Sequence, residues 1–193
     1  IILSALAYGK MPNLEDLSIQ GIREISLNDI KYCNDLGYKI KLLGNSLISK
    51  DLNGKEELFC SVKPWLIAKN FGLSNVSGVI NAVQIESSLA GSVMITGAGA
   101  GGEPTASAVL ADIVDIANGT KLFSFGRNSY DIKVNFKTTP YREKYKFYLR
   151  LNVVDKSGIL ADLTSIFKDY NISIESVIQK SNQEDKTAEL VII

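Results

Sequence analysis

Apolar and polar positions alternate along two pairs of segments in the first 100 residues. Residues 38–50 and 56–67 flank the polar turn DLNGK, and residues 80–87 and 91–97 flank a second short turn. Alternation with period two, interrupted by turn residues, is typical of β-hairpins. The pattern therefore predicts two hairpins, which belong to a mixed and largely antiparallel sheet.

Helical spacing of apolar residues accompanies these strands. Ser26 and Asp29 stand at capping-box spacing before an apolar stripe, and Gly37 provides a stop, which predicts a helix of about ten residues. A second helix is expected from Thr105 to about Ala117. Residues 1–9 (IILSALAYG) are interpreted as the second half of an amphipathic helix that starts before Ile1.

The last third of the chain has the clearest local pattern. Residues 145–155 alternate like a strand, 156–158 form a turn, 159–170 have helical spacing, and 171–181 and 187–193 are two further strands. This β-α-β-β order is three quarters of a ferredoxin-like unit. The fold class is therefore α+β, with covering helices. We expect one domain over 1–140, truncated at its N-terminus, and a second over 141–193, truncated at its C-terminus.

Composition excludes several classes of function. Lys+Arg and Asp+Glu are equal at 21 each, so no net charge favours nucleic acid or an anionic membrane. The nine apolar residues at the start are too few to span a bilayer. Without histidine, and with Cys33 and Cys60 far apart, no metal site is expected, and two reduced thiols suit a cytoplasmic protein.

The glycine-rich run at 97–102 (GAGAGG) is the most unusual local feature. It contains the Gly-x-Gly-x-x-Gly spacing of a dinucleotide-binding turn and is followed by a predicted helix. A Rossmann fingerprint also needs an acidic residue about 20 positions later, and residues 121–128 (KLFSFGRN) contain none. Two interpretations stay open: the glycines allow a ligand to approach the backbone, or they only pass a strand tightly into a helix.

The expected second domain, residues 141–193, resembles an ACT domain, the small regulatory fold that binds amino acids in biosynthetic enzymes. The resemblance is carried by Asp155-x-x-Gly158-Ile159-Leu160, the helix after it and Asn171-Ile-Ser-Ile. It implies an effector site at Asp155, Gly158, Ile159 and Asn171. A glycine before a helix exposes backbone N–H groups that favour a carboxylate. The alternatives are that Gly158 serves only the turn, or that the domain only pairs with another ACT domain.

The expected first domain, residues 1–140, is similar to homoserine dehydrogenase in the form that carries a C-terminal ACT domain. The matching blocks are ILSALAYG, GIREISLNDIKYCNDLGYKIKLLG, VINAV and GAGAGGEPTASAVLADIVDIA. The resemblance implies reduction of L-aspartate 4-semialdehyde to L-homoserine with NADPH or NADH. It also implies a homodimer, with L-threonine as the effector to test first.

The same resemblance assigns the glycine run to the nicotinamide end of the cofactor, with Gly101 in closest approach and Gly99 and Ala100 beside it. It assigns no catalytic residue to this chain, because the family's catalytic lysine would fall just upstream of Ile1. The alternative function is a non-catalytic amino-acid-binding regulatory module.

Overall fold

The computed structural model describes residues 1–120, 123–140, 145–182 and 186–193. They form two compact units, one of Ile1–Ile22 with Ile40–Tyr141 and one of Arg23–Lys39 with Arg142–Ile193. Along the chain, the later boundary between the two units falls at residues 141 and 142. Residues 23–39, assigned from the sequence to the first domain, cluster with the second unit instead.

The first unit is built around hairpins and short parallel pairings. Its elements are α1 (Ile2–Tyr8), β1 (Lys10–Pro12), β2 (Ser18–Ile19), β3 (Tyr38–Lys50, whose first two residues belong to the second unit), β4 (Glu56–Ala68), β5 (Ile80–Ser87), β6 (Gly91–Ala98), α3 (Gly102–Ala117) and β7 (Lys133–Phe136). Single 3₁₀ turns occur at Leu14–Asp16, Gly72–Asn75, Ser124–Gly126 and Ser129–Asp131.

Both predicted hairpins are confirmed. β3 and β4 are neighbours closed by a turn in which Asp51 N donates to Lys55 O at 2.9 Å, and β5 pairs antiparallel with β6 over all eight residues. Among the described residues the strands of this unit form three small sheets, β1-β7, β2-β4-β3 and β5-β6, instead of a single one. The unit's buried side chains include Leu58 on β4 and Ala5 on α1.

Two parallel pairings were missed by the sequence analysis. β1 pairs with β7, and β2 pairs with β4. The polar, proline-containing stretch 133–146 spans the expected boundary at residue 140, and no strand was predicted there, but Lys133–Phe136 forms β7 in the first unit. Residues 141–144 of that stretch lie outside the described part of the chain. Strands of two to four residues are too short to show a periodic pattern, which explains the error.

The second unit contains α2 (Leu27–Asp35), β8 (Leu149–Val154), α4 (Ile159–Asp169), β9 (Val177–Asn182) and β10 (Thr187–Ile192). The strands form an antiparallel sheet in the order β8-β10-β9. Residues 188 and 190–192 on its central strand are buried, as is Ile193, which follows that strand. The predicted β-α-β-β order is confirmed. β9, however, begins at Val177, six residues later than expected, and Asn171 itself adopts a left-handed φ of 54° instead of an extended conformation.

Helix α2 lies against the second unit's sheet. Its capping box is present, with Ser26 Oγ accepting from Asp29 N and Asp29 accepting from Ser26 N at 2.8 Å. Tyr32 and Cys33 on the same helix are buried. On one face of the sheet, side chains of α2 contact Arg150 on β8 and Glu189 on β10. On the opposite face, Val153 and Leu190 lie beside the start of α4. The sheet is therefore covered by one helix on each face.

Among the residues that the structure describes, no helix is both long enough and apolar enough to cross a membrane.

Candidate functional sites

The glycine run forms the connection between β6 and α3. Gly99 N donates to Val79 O at 2.7 Å, and Gly101 is the residue that precedes the helix, with φ 124° and ψ 151°. That backbone conformation is essentially restricted to glycine. The helix starts at Gly102, three residues before the predicted start at Thr105, because Pro104 lies in the first turn, where no intrahelical N–H bond is lost.

The two most constrained glycines of the run are constrained in different ways. A Cβ on Gly99 would lie 2.0 Å from Asn81 Nδ2, whereas a Cβ on Gly101 would lie 3.2 Å from Pro104 Cδ in a strained conformation. Gly97 and Gly102 have open space where a Cβ would be. Gly99, Ala100 and Gly101 are contiguous and exposed, so the backbone of these three predicted residues is accessible.

Helix α3 is apolar and exposed along its length. Val109, Leu110, Ile113, Val114 and Ile116 are each more than half exposed. Glu103, in its first turn, is exposed as well. No group of three or more metal-ligating side chains occurs in the described ranges of the chain.

A second candidate site is a cleft of about 240 Å³ beside the start of α4. Its lining comes from the β8–α4 loop, the start of α4 and three strands, β8, β9 and β10. The lining residues are Val153, Val154, Asp155, Lys156, Ser157, Gly158, Ile159, Leu160, Gln179 and Leu190. Drug-sized ligands occupy pockets of about 300–1,000 Å³, so this cleft suits a smaller molecule.

The rim of the cleft offers complementary polar groups. Gly158 precedes α4 with φ 96°, and no side chain caps the helix. The N–H groups of the first helical turn have no intrahelical acceptors, and the positive end of the helix dipole favours an anion there. Asp155 and Lys156 add one charge of each sign. A zwitterion of amino-acid size matches this arrangement.

The structure brings together three of the four predicted effector residues. Asp155, Gly158 and Ile159 line the cleft, whereas Asn171 follows the opposite end of α4. The helix has 11 residues, or about 16 Å, so Asn171 is distant from the cleft in the same chain. Gln179 was missed. Its position opposite Leu190 on the apolar side of the sheet was the available signal, because a polar residue is unusual there.

Comparison with known proteins decides the family. A model of the homoserine dehydrogenase domain matches residues 1–114, and a model of the ACT domain matches residues 147–193. The chain belongs to the homoserine dehydrogenase family. This is an oxidoreductase family, and the resemblance noted from the sequence is confirmed.

Relatives match over the whole chain. It is 37% identical to homoserine dehydrogenase of Neisseria gonorrhoeae over 100% of its length, and 35% identical to that of Helicobacter pylori over 99%. A solved homoserine dehydrogenase from Thiobacillus denitrificans superposes with a TM-score of 0.77 at 32% identity, over 99% of this chain and 43% of that one. The chain spans 44% of the length of both curated relatives.

Proposed function

We propose that this chain forms the substrate-domain and regulatory part of an NADPH- or NADH-dependent homoserine dehydrogenase. The reaction is the reduction of L-aspartate 4-semialdehyde to L-homoserine, in the biosynthesis of threonine and methionine. The observation that carries the proposal is the joint match of both sections, in the same order, to homoserine dehydrogenases along the whole chain. A homodimer and a cytoplasmic location complete the proposal; the two buried free thiols support the latter.

In this proposal the exposed backbone of Gly99, Ala100 and Gly101 admits the nicotinamide end of the cofactor. When bound, the cofactor supplies the hydride that reduces the aldehyde carbon. Gly101 is exposed and has no side chain, so it leaves room for a flat ring at the start of α3, and its φ of 124° is a conformation that favours glycine. The exposed apolar face of α3 supports burial against the remainder of the enzyme or a second subunit.

A reductase assay tests the proposal. A longer protein, expressed from the reading frame that continues upstream of Ile1, should oxidise NADPH only when aspartate semialdehyde is present. The 193-residue chain alone should show neither turnover nor micromolar cofactor binding, because the resemblance places the catalytic lysine upstream of Ile1 and the glycine run lacks the acidic residue of a Rossmann fingerprint. Turnover by the 193-residue chain would contradict the proposal that catalysis needs residues upstream of Ile1.

We propose L-threonine as the effector of the cleft beside Gly158. Its carboxylate would accept hydrogen bonds from the first turn of α4, Asp155 would face its ammonium group, and Gln179 is placed to address its hydroxyl. A contribution from Asn171 requires a second ACT unit, at a dimer interface. The specific observation that favours the alternative function, an amino-acid-binding module without catalysis, is that the whole cleft is built from residues 153–190.

The effector proposal is tested in the full-length enzyme. Gly158→Val should abolish threonine inhibition and leave uninhibited activity unchanged, because a side chain at φ 96° strains the turn that presents the N–H groups. Gly54→Val is the matched control, since Gly54 has a comparable φ of 78° in the β3–β4 turn and open space around it. Equal inhibition of Gly158→Val and wild type would refute the site.

A further inference from the structure

A polar cluster joins α2 to the sheet of the second unit, on the face opposite the effector cleft. We call it the Asp29 cluster; its members are Ser26, Asp29, Tyr32, Tyr148, Arg150 and Glu189. Three of them precede or lie on α2, and three lie on or next to strands β8 and β10. From the sequence, Asp29 was predicted only as a capping residue of α2.

Asp29 is the acceptor at the centre of the cluster. Arg150 Nε donates to Asp29 Oδ1 at 2.7 Å, and Tyr148 Oη donates to the same oxygen at 2.8 Å. Ser26 Oγ donates to Asp29 Oδ2 at 2.6 Å. Each carboxylate oxygen of Asp29 thus accepts a hydrogen bond from a side chain.

A second carboxylate continues the network. Arg150 Nη1 donates to Glu189 Oε1 at 3.1 Å, and Tyr32 Oη donates to Glu189 Oε2 at 2.5 Å. The guanidinium of Arg150 therefore bridges two carboxylates, one from α2 and one from β10. Such charge-assisted bonds fix geometry more strongly than neutral ones.

The carboxylate at the centre of the cluster is buried, and the guanidinium that binds it is partly exposed. The Asp29 side chain is 7% exposed, and that of Arg150 is 31% exposed. Burial raises the pKa of Asp29, but hydrogen bonds from Ser26, Arg150 and Tyr148 lower it by more, so the pKa lies well below its ordinary value. Burial and the bond to Asp29 raise the pKa of Tyr148. The carboxylate is thus held charged and the phenol protonated.

The same two strands carry cluster residues on one face and cleft residues on the other. On β8, Arg150 and Val153 lie on opposite faces; on β10, Glu189 is followed directly by Leu190, which lies on the face opposite to it. Helix α2, in turn, continues through Leu36 and Gly37 into β3, most of which belongs to the first unit. Within the second unit, the cluster therefore joins the strands that line the cleft to the helix that precedes β3.

We propose that the Asp29 cluster is the element that couples occupancy of the cleft to the substrate domain, with Arg150 as its principal positioning residue. A shift of β8 or β10 on effector binding moves Arg150 and Glu189, and their bonds transmit the shift to α2 and so to β3. The inference rests on the proposed effector site, since it needs a ligand in the cleft. It assigns regulation to residues that touch neither effector nor substrate.

The test measures threonine binding to the full-length enzyme by calorimetry, with and without saturating NADPH and substrate. Wild type should show a ratio of the two Kd values between about fivefold and about 150-fold. Arg150→Met should bring this ratio close to one while threonine still binds and uninhibited activity persists. Tyr148→Phe, which removes one bond and keeps the ring, should lower the ratio partially. Lys168→Met, on the exposed last turn of α4, is the control and should keep the wild-type ratio.

A ligand-free measurement separates this inference from the effector proposal. If threonine does not bind the wild-type enzyme, the effector proposal fails. Hydrogen exchange of the α2 amides then tests whether a change at the cleft reaches α2 through the Asp29 cluster. Gly158→Val should then change α2 exchange in the wild-type background and leave it unchanged in the Arg150→Met background. An Arg150→Met enzyme that keeps the wild-type Kd ratio, or an α2 response to Gly158→Val that does not depend on Arg150, would overturn the proposal.

Discussion

Gly99 allows the two interpretations of the glycine run to be separated by experiment. Replacing it with alanine places a Cβ 2.0 Å from Nδ2 and 2.4 Å from Cγ of Asn81, well inside contact distance. The Asn81 side chain must move, or the turn must shift. The double variant Asn81→Ala, Gly99→Ala removes the obstructing atoms, because the Asn81 amide supplies all three nearest contacts.

The expected cost follows from this geometry. Overpacking of one methyl group typically costs about 1–3 kcal/mol, and because Asn81 is exposed and can rotate away, we expect the lower end of that range for Gly99→Ala. Asn81→Ala alone should change the free energy of unfolding by at most about 0.5 kcal/mol, as for other surface substitutions. The double variant should recover to within about 0.5 kcal/mol of wild type. Urea unfolding of the full-length enzyme measures all four states of this cycle.

Activity then distinguishes the interpretations. If the backbone at Gly99 lies beside the nicotinamide, the added methyl group persists in the double variant, and kcat/KM for NADPH stays low although stability has recovered. If the glycine only permits tight passage into α3, kcat/KM recovers together with stability. A Gly99→Ala single variant that is as stable as wild type would refute the packing argument itself.

Three further predictions concern stability and are measured by urea or thermal unfolding of the full-length enzyme. Gly101→Ala should destabilise by about 1–3 kcal/mol because of its φ of 124°, whereas Gly102→Ala, with open space, should be neutral or slightly stabilising; equal effects would contradict the strain argument. Leu190 is 0% exposed, so Leu190→Ala should lower the free energy of unfolding by about 2–5 kcal/mol. Leu52 is fully exposed, and Leu52→Ala should lower it by at most about 0.5 kcal/mol. A small loss of stability for Leu190→Ala would show that this core position is not packed as described. Hydrogen bonds outweigh burial and depress the pKa of Asp29 below 3.8, so the contribution of Asp29 to the free energy of unfolding is fully present above about pH 5 and is lost as the pH falls toward the depressed pKa. Asp29→Asn should therefore weaken the dependence of the free energy of unfolding on pH in the acid range. An unchanged dependence would contradict the assignment.

Local patterns predicted the elements that local chemistry determines. The capping box of Ser26 and Asp29, the turn at 51–55 and the glycine before α4 each act within a few residues, so the sequence alone locates them. The same local order explains why the glycine run lies in an exposed turn and why Asp155, Gly158 and Ile159 lie beside one cleft: a strand followed by a turn and a helix fixes where such residues lie. Their roles in binding stay predictions.

Long-range partners could not be predicted in this way. Asp29 satisfies its capping role within α2, and nothing in the local pattern indicates that Arg150, 121 positions later, donates to the same carboxylate. For the same reason the membership of α2 in the second unit was missed. Asn171 was grouped with Gly158 through a family resemblance, although the length of α4 keeps them apart within one chain.

The central claim is that this chain serves hydride transfer to an aldehyde. The most direct measurement uses NADPH carrying deuterium at C4 of the nicotinamide, with the full-length enzyme and L-aspartate 4-semialdehyde, and analyses the product by mass spectrometry and NMR. Using NADPH labelled on either face in turn, the account predicts L-homoserine that carries one deuterium at C4 with one of the two cofactors. Absence of homoserine with both NADPH and NADH, or homoserine that carries no deuterium with either labelled NADPH, would contradict this prediction.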